Sequence, residues 1–103
     1  MSFFKDKVVW ITGASSGIGE ALALEFAKQG ARLVISARRE DELKRVAALT
    51  KLPDLDLMVL PFDLKDTSKA TALTANVINK FGRIDILVNN GGMSQRAEME
   101  KTS

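Results

Sequence analysis

Four short apolar runs alternate along this chain with three longer stretches of helical periodicity. The runs are Val8–Thr12 and residues 33–36, 57–60 and 84–89, the last centred on Ile86, Leu87 and Val88. Their centres are apolar at successive positions rather than at every second one. That is the pattern of strands buried on both faces of a parallel sheet. Between them, residues 18–29 place Ile18, Leu22 and Phe26 at four-residue spacing with Ala21 beside them, and Gly30 ends the stretch. A second helix follows Arg38-Arg39-Glu40-Asp41 and gathers Leu43, Val46 and Ala47 on one face. A third, capped by Asp66 or Thr67, carries Leu73, Val77 and Phe81 on one face and closes at Gly82. Pro53 falls in a loop, Pro61 marks the end of the third strand, and Trp10 belongs to the core.

The predicted order is β-α-β-α-β-α-β with short connections, an α/β fold with a parallel sheet covered by helices on both faces. Right-handed crossovers and the doubly wound rule give the strand order 3-2-1-4. Residues 1–92 form one half-domain, and residues 93–103 are a polar tail without periodicity. In such sheets ligands sit beyond the carboxyl ends of the strands, near the point where the order reverses. The loops at Thr12-Gly13, Ala37-Arg38, Asp63-Leu64 and Asn89-Asn90 therefore converge on one edge.

One of those loops carries chemistry. Thr12-Gly13-Ala14-Ser15-Ser16-Gly17-Ile18-Gly19 joins the first strand to the first helix. Gly13, Gly17 and Gly19 let the turn tighten and let a phosphate approach the backbone. Ser15 and Ser16 add hydroxyl donors, and the helix that follows aims its free N–H groups and positive dipole end at an anion. The spacing is Gly-x-x-x-Gly-x-Gly, not the commoner Gly-x-Gly-x-x-Gly. It reads as a dinucleotide site; the plainer alternative is a turn that only joins strand to helix.

Composition narrows the chemistry. The 103 residues suit one small soluble domain, and a net charge of +2 gives no case for nucleic acid or an anionic membrane. No run approaches the length of a membrane span, no signal-peptide core precedes the first strand, and a cytoplasmic location is the default. Cys, His and Tyr are all absent, which removes disulfides, thiolate catalysis and the commonest general base and metal ligand. No metal site is expected.

The second strand's end selects the nucleotide. An NAD site usually has an acid roughly twenty residues after the glycines, bound to the adenosine ribose hydroxyls. At that distance stands Ala37, and Arg38 and Arg39 follow at once. A guanidinium pairs with a 2′-phosphate that a carboxylate would repel, and Ser15 can add a hydroxyl. NADP is therefore favoured over NAD, unless both arginines simply face solvent. The missing acid also weighs against an S-adenosylmethionine methyltransferase of similar fold.

The glycine stretch, Asp63-Leu64 and Asn89-Asn90-Gly91-Gly92 together resemble the short-chain dehydrogenases/reductases across nearly the whole chain. Residues 83–96 look closest to the subgroup called dehydrogenase/reductase member seven, NADP-linked carbonyl reductases of steroid- or retinoid-like compounds. The expectation is of a sequence without that subgroup's N-terminal membrane anchor. The resemblance implies the first part of a Rossmann domain, in which Gly13, Ser15, Ser16, Gly17, Ile18 and Gly19 hold the pyrophosphate. It gives Asp63 and the Leu64 backbone to adenine, and Asn90 and Gly91 to the cofactor ribose. Asn89 would tie the fourth strand in place or be purely structural, and Asp63 has the alternative of a loop cap. Gly91 stands where the family usually has Ala. The family's catalytic Ser and Tyr-x-x-x-Lys are missing, and Ser94, Ser103, Lys80 and Lys101 are not at matching positions. No catalytic residue is assigned. The implied function is the NADP(H)-binding segment of an oxidoreductase that moves hydride to or from a small carbonyl or alcohol, in a complete enzyme that forms homo-oligomers. A stand-alone nucleotide- or partner-binding module is the alternative.

Overall fold

The computed structural model describes residues 3–15, 17–61 and 70–90. Strands β1 (Val8–Thr12), β2 (Arg32–Ser36), β3 (Leu57–Val59) and β4 (Ile86–Asn89) alternate with helices α1 (Gly17–Lys28), α2 (Glu40–Thr50) and α3 (Ala70–Phe81). All pairings are parallel, and the sheet order is β3-β2-β1-β4. Thr12, Ser36 and Asn89 stand level with one another at the carboxyl edge.

The centres of β1, β2 and β3 are apolar because each feeds two cores, while β4 gives Ile86 and Val88 to one of them and leaves Leu87 60% exposed. Val9, Ile11, Leu33 and Ile35 pack with Ala23 of α1 and Leu43 and Val46 of α2. The alternate residues Val8, Trp10 and Val34 pack with Leu60 and with Val77 of α3 on the other face. Fully burying side chains of this kind contributes about 1.5–3 kcal/mol each. The Trp10 indole enters that second layer without stranding its N–H, which donates to Ser36 Oγ at 2.8 Å.

Three features depart from the sequence pattern. Ile18 does not join the buried stripe of α1; it is 69% exposed. Gly19 and Ala23 are the buried residues of that helix, and Ile18 lies about 100° round the helix from Gly19. β4 begins at Ile86 rather than at residue 84, whose side chain instead packs under α3. A single 3-10 turn over Asp54–Asp56 precedes β3, closed by the Asp56 N–H donating to the Pro53 carbonyl at 2.9 Å. The proposed caps Asp66 and Thr67 and the tail 93–103 lie outside the described residues. No helix among the described residues is long and apolar enough to cross a membrane.

At the opposite, amino edge, Asp85 fastens β4 to β1. Its carboxylate accepts from the Val8 N–H at 2.8 Å and from Arg83 Nε at 2.9 Å. The Val8 hydrogen bond, then Arg83, hold its pKa below the ordinary carboxylate value. A depressed native pKa stabilises above the unfolded value and loses that contribution as pH falls through the native one. The stability gap between the unmutated protein and Asp85→Asn should therefore be constant near neutrality and shrink below about pH 4. Urea midpoints measured against pH check this; a gap that does not change on acidification refutes it.

Candidate functional site

β1, β2 and β4 deliver three polar residues to one edge of the sheet, and the turn after β1 is built on them. The Thr12 hydroxyl accepts from the Asn90 N–H at 3.1 Å. It offers its own proton to Asn89 Oδ1 at 3.0 Å or the Val88 carbonyl at 3.3 Å. One side chain thus ties the end of β4 to the end of β1, and the tying role of Asn89 is explicit. Gly13 then turns the chain with φ 64°, where a Cβ would be strained. The Ala14 N–H donates to the Ser36 carbonyl at 3.0 Å, pinning the turn to β2. Asn90 Nδ2 donates to the Gly13 carbonyl at 3.3 Å.

The two glycines of α1 have opposite surroundings. Gly19 is buried against the turn: a Cβ there would overlap the Gly13 carbonyl oxygen and come within 2.9 Å of Ala14 Cα and Asn90 Nδ2. A Cβ on Gly17 would meet nothing within 4 Å among the described residues. Among the described residues the open space therefore lies over the first turn of α1, where backbone N–H groups have no intrahelical partner. Ile18 is exposed beside it, and Ser15 is half-buried. The cradle is one that a side chain on Gly17 would fill, which fits a ligand phosphate at a helix N-terminus.

The structure brings Gly13, Ser15, Gly17, Ile18, Gly19 and Asn90 to this edge, with Arg38 and Arg39 just beyond the end of β2. Ala37, where an acid would bind ribose, is 8% exposed. Arg38 is exposed and has no ion-pair or hydrogen-bond partner among the described residues. Arg39 precedes α2 with extended backbone, and its guanidinium lies 3.7 Å from Asp41, both side chains well exposed. Ser16, Asp63, Leu64 and Gly91 lie outside the described residues.

Sequence reasoning passed over two features of these elements. Thr12 opens the glycine motif, and its hydroxyl was the available signal. The other is an ion cluster between helices. Arg45 of α2 donates to Glu20, in the first turn of α1, at 2.9 Å and to Glu42 at 3.1 Å. The hydrogen bonds to Glu20 and then Glu42 raise the arginine pKa further. No group of three or more metal-binding side chains lies among the described residues.

Comparison with known proteins agrees with this geometry. A family model described as short chain dehydrogenase matches residues 7–103. The human dehydrogenase/reductase SDR family member 7 is 56% identical over 102 residues, which cover 95% of this chain and 30% of that protein. A member 7-like protein of Drosophila melanogaster is 44% identical over 101 residues, covering 94% of this chain and 31% of that one. The chain thus spans about 30% of the length of the curated relatives it matches. Among solved structures, Caenorhabditis elegans glucose dehydrogenase in its apo form superposes with a TM-score of 0.81 at 30% identity, over 96% of this chain and 43% of that one. The 3-ketoacyl-(acyl-carrier-protein) reductase of Brucella melitensis, complexed with NADH, gives a TM-score of 0.73 at 37% identity, over 82% and 33% of the two chains.

Proposed function

Because the chain belongs to the short-chain dehydrogenase family, a family of Rossmann-fold oxidoreductases that bind a nicotinamide dinucleotide, we propose that it is the NADP(H)-binding segment of such an enzyme. In this reading residues 1–92 are the cofactor half-domain, and residues 93–103 lead toward the catalytic part. The turn Gly13, Ser15, Ser16, Gly17, Ile18 and Gly19 holds the pyrophosphate. Asp63 and Leu64 face the adenine, and Asn90 and Gly91 lie along the ribose. When bound, the cofactor supplies hydride for exchange with a small carbonyl or alcohol. The part played by this chain is to bind and orient: it has no Tyr or His to carry the proton that such a reduction needs.

The observation that carries the choice of NADP is the end of β2. Ala37 replaces the ribose-binding acid, and exposed Arg38 follows it with no partner among the described residues. A free guanidinium there is matched to a 2′-phosphate, and Arg39 and Ser15 add a second cation and a hydroxyl. Arg38→Ala in the intact protein should lose about 1.5–3 kcal/mol of NADPH binding, the worth of a hydrogen bond to a charged group. NADH affinity should stay within about twofold, a change well below one decade in Kd. Parallel titrations of both cofactors make the test. Equal affinity of the unmutated protein for NADH and NADPH would refute the choice of NADP.

A further inference from the structure

Glu20 follows Gly19 directly and is the acidic residue of the first turn of α1. A carboxylate there stabilises the helix through its dipole. It also places a negative charge beside the N–H groups that the proposed function gives to the pyrophosphate, and like charges at that range repel. Arg45 reaches across from α2 to meet it: Arg45 NH2 lies 2.9 Å from Glu20 and 3.0 Å from Glu42. With the arginine in place, the three side chains carry one net negative charge; without it they carry two.

The pair is poorly placed to matter for stability. The Arg45 and Glu20 side chains are 46% and 25% exposed, and exposed ion pairs contribute little to folding. It is better placed to matter for a ligand, because Glu20 lies one residue from the turn that receives the anion. We propose that Arg45 is a positioning residue of the dinucleotide site, which neutralises Glu20 and so raises affinity for the pyrophosphate that NADH and NADPH share. The inference rests on the dinucleotide reading above. It differs from the role of Arg38, which touches only the 2′-phosphate and therefore only NADPH.

The test is a cycle of four forms of the intact protein: unmutated, Arg45→Met, Glu20→Gln and the double variant. Dissociation constants for NADH and NADPH are measured at low and high ionic strength. At low salt Arg45→Met should weaken both cofactors by the same factor, about three- to fivefold, as one charge acting over roughly a Debye length allows. High salt should shrink that loss. Glu20→Gln should not weaken either cofactor, and the double variant should return to within about twofold of the unmutated protein, since the charge to be neutralised is gone. The melting temperature of Arg45→Met should stay within a few degrees of the unmutated one. A loss that persists in the double variant, or no loss in Arg45→Met, overturns the inference while the dinucleotide reading stands. Failure of the unmutated protein to bind either cofactor overturns that reading and this inference together.

Discussion

Gly19→Ala is expected to destabilise the intact protein at or above the upper end of the roughly 1–3 kcal/mol range for overpacking. The sign is the opposite of the usual one, since Gly→Ala inside a helix ordinarily gains roughly 0.5–1 kcal/mol. Here the added methyl has no room. It overlaps the Gly13 carbonyl oxygen and approaches Ala14 Cα and Asn90 Nδ2 at 2.9 Å. Two of these neighbours are backbone atoms, and both belong to a turn fixed from two sides. The Ala14 N–H is bonded to Ser36, and the Gly13 carbonyl accepts from Asn90. Neither can yield without stretching one of those bonds. A lowered urea midpoint with loss of dinucleotide binding in the same sample is the expected result. An unchanged midpoint would mean that the turn opens freely, and the tight packing described here would be wrong.

The sheet was legible in the sequence because its signals are redundant. Four runs apolar at successive positions point to strands of a parallel sheet, although Leu87 of β4 is 60% exposed, and connections this short leave few ways to join them. Element ends were less legible because pairing decides them. Arg32 joins β2 because Val8 stands opposite it, while Leu60 is buried but falls beyond β3. Ile18 shows the limit of periodicity. Spacing alone favours Ile18, Leu22 and Phe26 as one stripe. The contact of Gly19 with the Gly13 turn rotates α1 so that Ile18 faces outward.

The site divides along the same line. The glycines, Asn90 and the arginines after β2 stand in local motifs, and the fold brings them to one edge. Thr12 was visible as a motif residue, yet its bonds to Asn89 and Asn90 join positions more than seventy residues apart. Arg45 and Glu20 are separated by 25 positions on two helices. No local pattern announces such a pair; only the packing of α1 beside α2 on one face of the sheet creates it.

Gly17→Val should do the reverse of Gly19→Ala: the protein keeps its fold and loses its cofactor. Gly17 is the first residue of α1, and a Cβ there meets nothing within 4 Å among the described residues. Only the modest helix propensity difference between Gly and Val remains, and it favours Val slightly. The described residues give Gly17 no packing reason to be glycine. In the proposed site the reason is the phosphate that comes close when the cofactor is bound. Valine methyls would stand over the first-turn N–H groups and keep phosphate oxygens from hydrogen-bond distance. Affinity for NADH and NADPH should fall together by at least about a hundredfold, roughly 2.7 kcal/mol. That shared loss would separate this position from Arg38, whose expected effect is confined to NADPH. Circular dichroism and both titrations on one preparation decide the matter. Native spectra with undiminished binding would show that the space over Gly17 is not the pyrophosphate site.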